Sequence, residues 1–90
     1  MPAKRVRFSA HALLKFRVLA GHGLRLLREQ VADVVSNPTT VNEGYRGRKI
    51  AQGPLDTHRV LRVIYEERAD EILIITFYPG LRERYEKNQI

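Results

Sequence analysis

The hydrophobic pattern of this chain changes period at Pro38. Before it, apolar residues recur at helical spacing; after it, they alternate as in strands. Ninety residues with one such change predict helices first and sheet second, an α+β domain, with too little chain for a second independent core. With 43% hydrophobic residues the chain fills one modest core and does not read as disordered.

Within that frame the elements can be placed. Lys4-Arg5-Val6-Arg7-Phe8 alternates basic and apolar residues, the pattern of a short strand. Ser9 is well placed to cap a helix over Ala10 to Leu19, whose buried stripe is Leu13, Phe16 and Ala20. Gly21-His22-Gly23 stops it. A second helix from about Arg25 to Ser36 buries Leu27, Val31, Val34 and Val35, and Asn37-Pro38 ends it. Thr40–Glu43 and Arg48–Gln52 flank a turn, Gly44-Tyr45-Arg46-Gly47, as a hairpin. His58–Glu66 and Ile72–Tyr78 are two further strands, the second rich in β-branched residues on both faces and therefore central. Strict alternation puts Ile72, Ile74, Thr76 and Tyr78 on one face, and Pro79-Gly80 terminates the strand. The expectation is two N-terminal helices packed on an antiparallel sheet, one domain over 1–90 with a core at about 6–80 and a charged tail at 81–90.

Several function classes are excluded early. There is no Cys, hence no disulfide framework, thiol nucleophile or Cys-based zinc site, and three scattered His do not suggest a metal or other cofactor. The longest aliphatic run, Ile72-Leu73-Ile74-Ile75, is far short of a membrane span, and no apolar stretch of signal-peptide type follows the N-terminal cations. The sequence therefore predicts a cytoplasmic protein with no membrane partner. Charge points to a polyanion. Sixteen Lys and Arg against ten Asp and Glu give +6 and a pI near 10.2. Residues 1–62 hold twelve cations and four anions (+8), whereas 63–90 hold four and six (−2). RNA is the natural partner for such an asymmetric surface, with solubility alone as the plain alternative.

Three positions interrupt apolar elements with chemistry. His11 lies in the first turn of helix one, where the helix dipole disfavours the imidazolium and suits a neutral base; a cap or packing residue is the plain alternative. Arg62 sits in Val60-Leu61-Arg62-Val63-Ile64-Tyr65, where a cation is costly unless it is paired, with Glu66 or Glu71 for instance, or faces a solvated groove. Thr76 and Tyr78 end the most apolar strand with two hydroxyls on one face, though both are also strong strand formers. Arg46, Arg48 and Lys49 make a basic hairpin. Arg82, Arg84 and Tyr85 make a basic-aromatic tail able to grip a phosphate or stack on a base.

An ordered set of segments carries a resemblance: Ser9-Ala10-His11-Ala12, His22-Gly23, Ser36-Asn37-Pro38, Gly44-Tyr45-Arg46-Gly47-Arg48, Val60–Tyr65, Ile75-Thr76-Phe77-Tyr78-Pro79 and Arg84-Tyr85-Glu86. Together, over about residues 6 to 86, they resemble the DUF4258 family. That family is similar to RelE and BrnT type toxins of the barnase-EndoU-colicin-RelE architecture. The resemblance implies a metal-independent endoribonuclease, the toxin of a toxin–antitoxin pair, with His11, Arg62 and Thr76 as active residues and Tyr78 beside them. It implies RNA, including ribosome-bound mRNA, and a small antitoxin as partners. The chain departs from the commoner, shorter pattern by a longer stretch between His11 and Asn37. In the reaction His11 would be base or acid, Arg62 the phosphate clamp, and Thr76 or Tyr78 an orienting donor. A non-catalytic RNA- or protein-binding domain explains the charge equally well and demands nothing of His11.

Overall fold

The computed structural model describes residues 4–86. Strand β1 (Arg5–Phe8) leads into helix α1 (Ala10–Gly21), and a loop joins it to helix α2 (Arg28–Ser36). Strand β2 (Thr40–Glu43) and a single 3-10 turn (Tyr45–Gly47) lead into β3 (Lys49–Pro54), β4 (Arg59–Glu67) and β5 (Glu71–Leu81). Helix α3 (Arg82–Glu86) closes the described chain. The strands form one sheet in the order β1-β5-β4-β3-β2. The fold is α+β, with helices packed on the sheet, but the sheet is mixed rather than antiparallel: β1 pairs parallel with β5, Arg5 opposite Glu71 through Phe8 opposite Ile74. The chain leaves β1 through a helical layer before returning to the sheet, and a crossover of that kind permits a parallel neighbour.

Ser9 fixes the first junction. Its hydroxyl accepts the Ala12 N–H at 3.0 Å, capping α1, and donates to the Ile75 carbonyl at 2.8 Å. Its own N–H donates to the Ile74 carbonyl at 3.0 Å. Ile75 is the extra residue of a bulge in β5, because Ile64 pairs with Thr76 while the next residue, Tyr65, pairs with Ile74. One side chain thus satisfies both a helix terminus and a bulge carbonyl. The bulge corrects the alternation expected from sequence. Ile74 and Phe77 both belong to the buried cluster, whereas Thr76 lies between them on the other face. One inserted residue reverses every parity beyond it.

Helix α1 ends where Gly23 takes φ +88° and Leu24 N–H bonds back to Leu19 O at 2.9 Å. Helix α2 begins at Arg28, not Arg25, because Gln30 Oε1 reaches back to the Leu27 N–H at 2.7 Å and fixes the first turn there. Helix α1 packs on β5 and β1, and α2 on β3 and β4. Between them and the sheet lies the core, with Val31, Val34 and Val35 from α2, Ala12 from α1, and Ala51, Leu61, Val63, Tyr65, Ile74 and Phe77 from the strands. Phe16 bridges Phe8 and Phe77 at ring separations of 5.6 and 4.7 Å. Gly53 lets α2 come close, since a Cβ there would stand 3.1 Å from a Val34 methyl.

Strand β5 runs through Pro79-Gly80 instead of stopping there. Among the described residues no strand pairs with its outer edge beyond Ile74, an edge position that tolerates Pro79. Residues 82–86 of the expected tail are helical, and 87–90 lie outside the described residues. No helix among the described residues is long and apolar enough to cross a membrane.

Candidate functional site

The face of the sheet turned away from α1 and α2 carries a row of three cross-strand neighbours, Gln52 on β3, Arg62 on β4 and Tyr78 on β5. The physical logic begins with Arg62. A half-buried guanidinium needs partners, and these are neutral. Its Nε donates to Tyr78 Oη at 3.0 Å, and Nη1 donates to Gln52 Oε1. Gln52 is 2% exposed, so its amide is a fixed acceptor rather than a mobile surface group. The guanidinium carbon lies 4.2 Å from the centre of the Tyr85 ring and 6.0 Å from that of Tyr78. Cation–π contacts of this kind contribute about 0.5–2 kcal/mol.

Tyr85 reaches this position because α3 folds over the end of β5. Arg82 N–H bonds to His58 O and Arg82 Nε to Asp56 O, both at 2.8 Å. Gly80 leaves room for the ring, since a Cβ there would stand 2.4 Å from Tyr85 Cε2. Tyr85 and Gln52 therefore clasp Arg62 from two sides.

No carboxylate pairs with Arg62 among the described residues. The acids expected to do so are engaged elsewhere. Glu66 pairs with Arg48 at 3.3 Å and Arg68 at 3.0 Å, and Glu71 pairs with Arg7 at 3.0 Å and Arg68 at 2.9 Å. Glu67 is shared by Lys4 and Lys49, both at 2.9 Å, and their hydrogen bonds hold its carboxyl down at about 2. Glu66 and Glu71 are also lowered, chiefly by hydrogen bonds from Arg68 and Arg7 respectively. Among the described residues, Arg62 therefore has neutral hydrogen-bond partners and no anionic one.

Two hydroxyls complete the face. Tyr78 Oη accepts from Arg62, and no described group accepts its proton in turn. Thr76 stands two residue pairs along, opposite Ile64, and its Oγ1 is buried with no hydrogen-bond partner among the described residues. Arg62, Thr76 and Tyr78 therefore share one face. His11 is not with them. It is exposed in the first turn of α1, the helix packed on the opposite face through Ala12 and Phe16.

The expected RNA contacts divide in the same way. Arg48, Lys49 and Arg82 are in ion pairs with Glu66, Glu67 and Glu86. Arg46 lies 5.3 Å from the centre of the exposed Tyr45 ring, with no acid beside it, and Arg84 is exposed on α3 without an ion pair among the described residues. Sequence reasoning missed Gln52. Its one available signal was a polar residue alternating with Ala51 and Gly53, which becomes informative only once the hairpin register sets it opposite Arg62. Among the described residues, no group of three or more His, Asp or Glu side chains is placed to hold a metal ion. No protein-family model matches the chain, and no curated protein and no solved structure is significantly similar to it.

Proposed function

We propose that the protein binds RNA across the open face of the sheet, at Arg62, and acts there as a metal-independent endoribonuclease of the RelE-like type. The observation that carries the binding is the unopposed guanidinium of Arg62. Held by a buried amide and a phenol, it presents a planar fork to a phosphate, and Tyr85 offers a ring on which a base or the cation itself can stack. Arg46 and Arg84, exposed and without ion pairs among the described residues, add further cations for a polyanion.

Cleavage draws its support from Tyr78. Attack of the 2′-oxygen on the adjacent phosphorus, its proton passing to solvent water, forms the 2′-O–P bond as the P–5′-O bond breaks. Negative charge loads onto the phosphoryl oxygens, and the leaving 5′-oxygen takes a proton from a donor that regains one from solvent. Arg62 meets the first demand, and the uncommitted Tyr78 O–H meets the second. The resemblance to RelE and BrnT type toxins points the same way, and with it to a small antitoxin as partner. The second reading is RNA binding without turnover. It is favoured by the position of His11, which leaves the 2′-hydroxyl without an imidazole base on this face.

Incubation of total RNA with the protein in EDTA separates the two. Wild type should yield discrete fragments, Tyr78→Phe should lose them while still binding RNA, and His11→Ala should cleave like wild type. RNA bound but intact with wild-type protein selects the non-catalytic reading.

A further inference from the structure

Helix α1 breaks the usual rule for a helix lying on a sheet. Its inward side, Ala12 and Phe16, is apolar as expected, but Leu14 and Val18, facing outward, are apolar too and about half exposed at 52% and 45%. Leu14 and Val18, four residues apart, stand together on that outer side between the charged positions of the helix. Beside it, Leu13, Phe16 and Arg17 on α1, Leu26 and Leu27 just before α2, and Arg28 and Glu29 in its first turn line an open groove of about 550 Å³, and Leu27 is 61% exposed.

The charge around it is mainly positive, with Glu29 the one acid that lines the groove. No acidic residue precedes Glu29 in the chain. Arg17 and Arg28 line the groove, Lys15 and Arg25 lie on the same stretch of chain, and none of the four is in an ion pair among the described residues. A net positive charge around an apolar floor disfavours a second copy of this +6 chain. It complements a helix with an apolar stripe and acidic flanks. A concave floor also suits an inserted helix better than a flat lipid surface.

We propose that the α1–α2 groove is a protein-docking site that takes an acidic amphipathic helix from a partner protein. The site lies on the opposite layer from Arg62, so it goes beyond the RNA-binding reading and does not depend on it.

The test uses two fluorescein-labelled synthetic peptides of about 18 residues, long enough to be helical when bound. Both carry leucine at i, i+3, i+4 and i+7; one has glutamate and the other lysine on the flanks. Fluorescence anisotropy should show saturable binding of the glutamate peptide, weakened by salt, and no binding of the lysine peptide. Leu27→Glu should weaken the glutamate peptide at least about tenfold, while circular dichroism shows its fold unchanged. Arg17→Glu with Arg28→Glu should reverse the preference, and Arg62→Gln should leave it alone. Failure of the glutamate peptide to bind, equal binding of both peptides, or indifference to Leu27→Glu overturns the proposal. So does a Leu27-dependent dimer in sedimentation, or Leu27-dependent binding to phosphatidylglycerol vesicles in place of the peptide.

Discussion

At the scale of single residues, the site rests on what Arg62 lacks. Most cations of this chain that touch the sheet end on a carboxylate, and Arg62 ends on an amide and a phenol. Such a cation is costly to half-bury without an ion pair, and that cost is usually met at a site for an anion. Thr76 adds an independent test. Its Oγ1 is buried and unbonded, and an unbonded hydroxyl of this kind costs about 1–3 kcal/mol. Thr76→Val keeps the shape and removes the orphan, so urea denaturation should find the variant as stable as wild type or more stable. A loss of more than about 1 kcal/mol would mean the hydroxyl has a partner in the folded protein. The sequence exposed Arg62, Thr76 and Tyr78 because each interrupts an apolar run. It could not expose Gln52, whose role exists only through the β3–β4 register.

At the scale of elements, periodicity marked both helices and the hairpin, because those depend on local spacing and turn residues. What it could not mark were the events set by non-local pairing. The bulge at Ile75 reverses the faces of β5, and the parallel seat of β1 depends on a strand more than sixty residues away. Ser9 joins these two events by capping α1 and bonding the Ile75 carbonyl together. Removing the hydroxyl strips a helix cap, worth about 1 kcal/mol, and leaves a bulge carbonyl unpaired. Ser9→Ala should therefore cost about 1–3 kcal/mol in denaturant unfolding. A change within about 0.5 kcal/mol would show that the hydroxyl is dispensable at the junction.

At the scale of the whole molecule, charge is divided into a compensated zone and an open one. The compensated zone is the cluster of Glu66, Glu67 and Glu71 with the five cations that share them. All three carboxyls are held below their ordinary value of 4.5, Glu67 at about 2. A carboxyl that is more acidic in the folded chain stabilises it fully above the unfolded value, and that contribution is lost as pH falls through the folded one. The melting temperature should therefore hold steady above about pH 5 and fall progressively toward pH 2, with a smaller fall in high salt. A melting temperature flat down to pH 2 would show that these pairs add nothing to stability. The open set is Arg62, Arg46 and Arg84, none of which is in an ion pair among the described residues. Its most direct test is the binding of a fluorescent single-stranded RNA to wild type and Arg62→Gln across a series of salt concentrations. Wild-type affinity should fall with salt, and Arg62→Gln should bind at least about tenfold more weakly, with a log–log slope shallower by about 0.7 for the one lost phosphate contact. Superimposable isotherms and slopes for the two proteins would contradict the assignment of RNA to the Arg62 face.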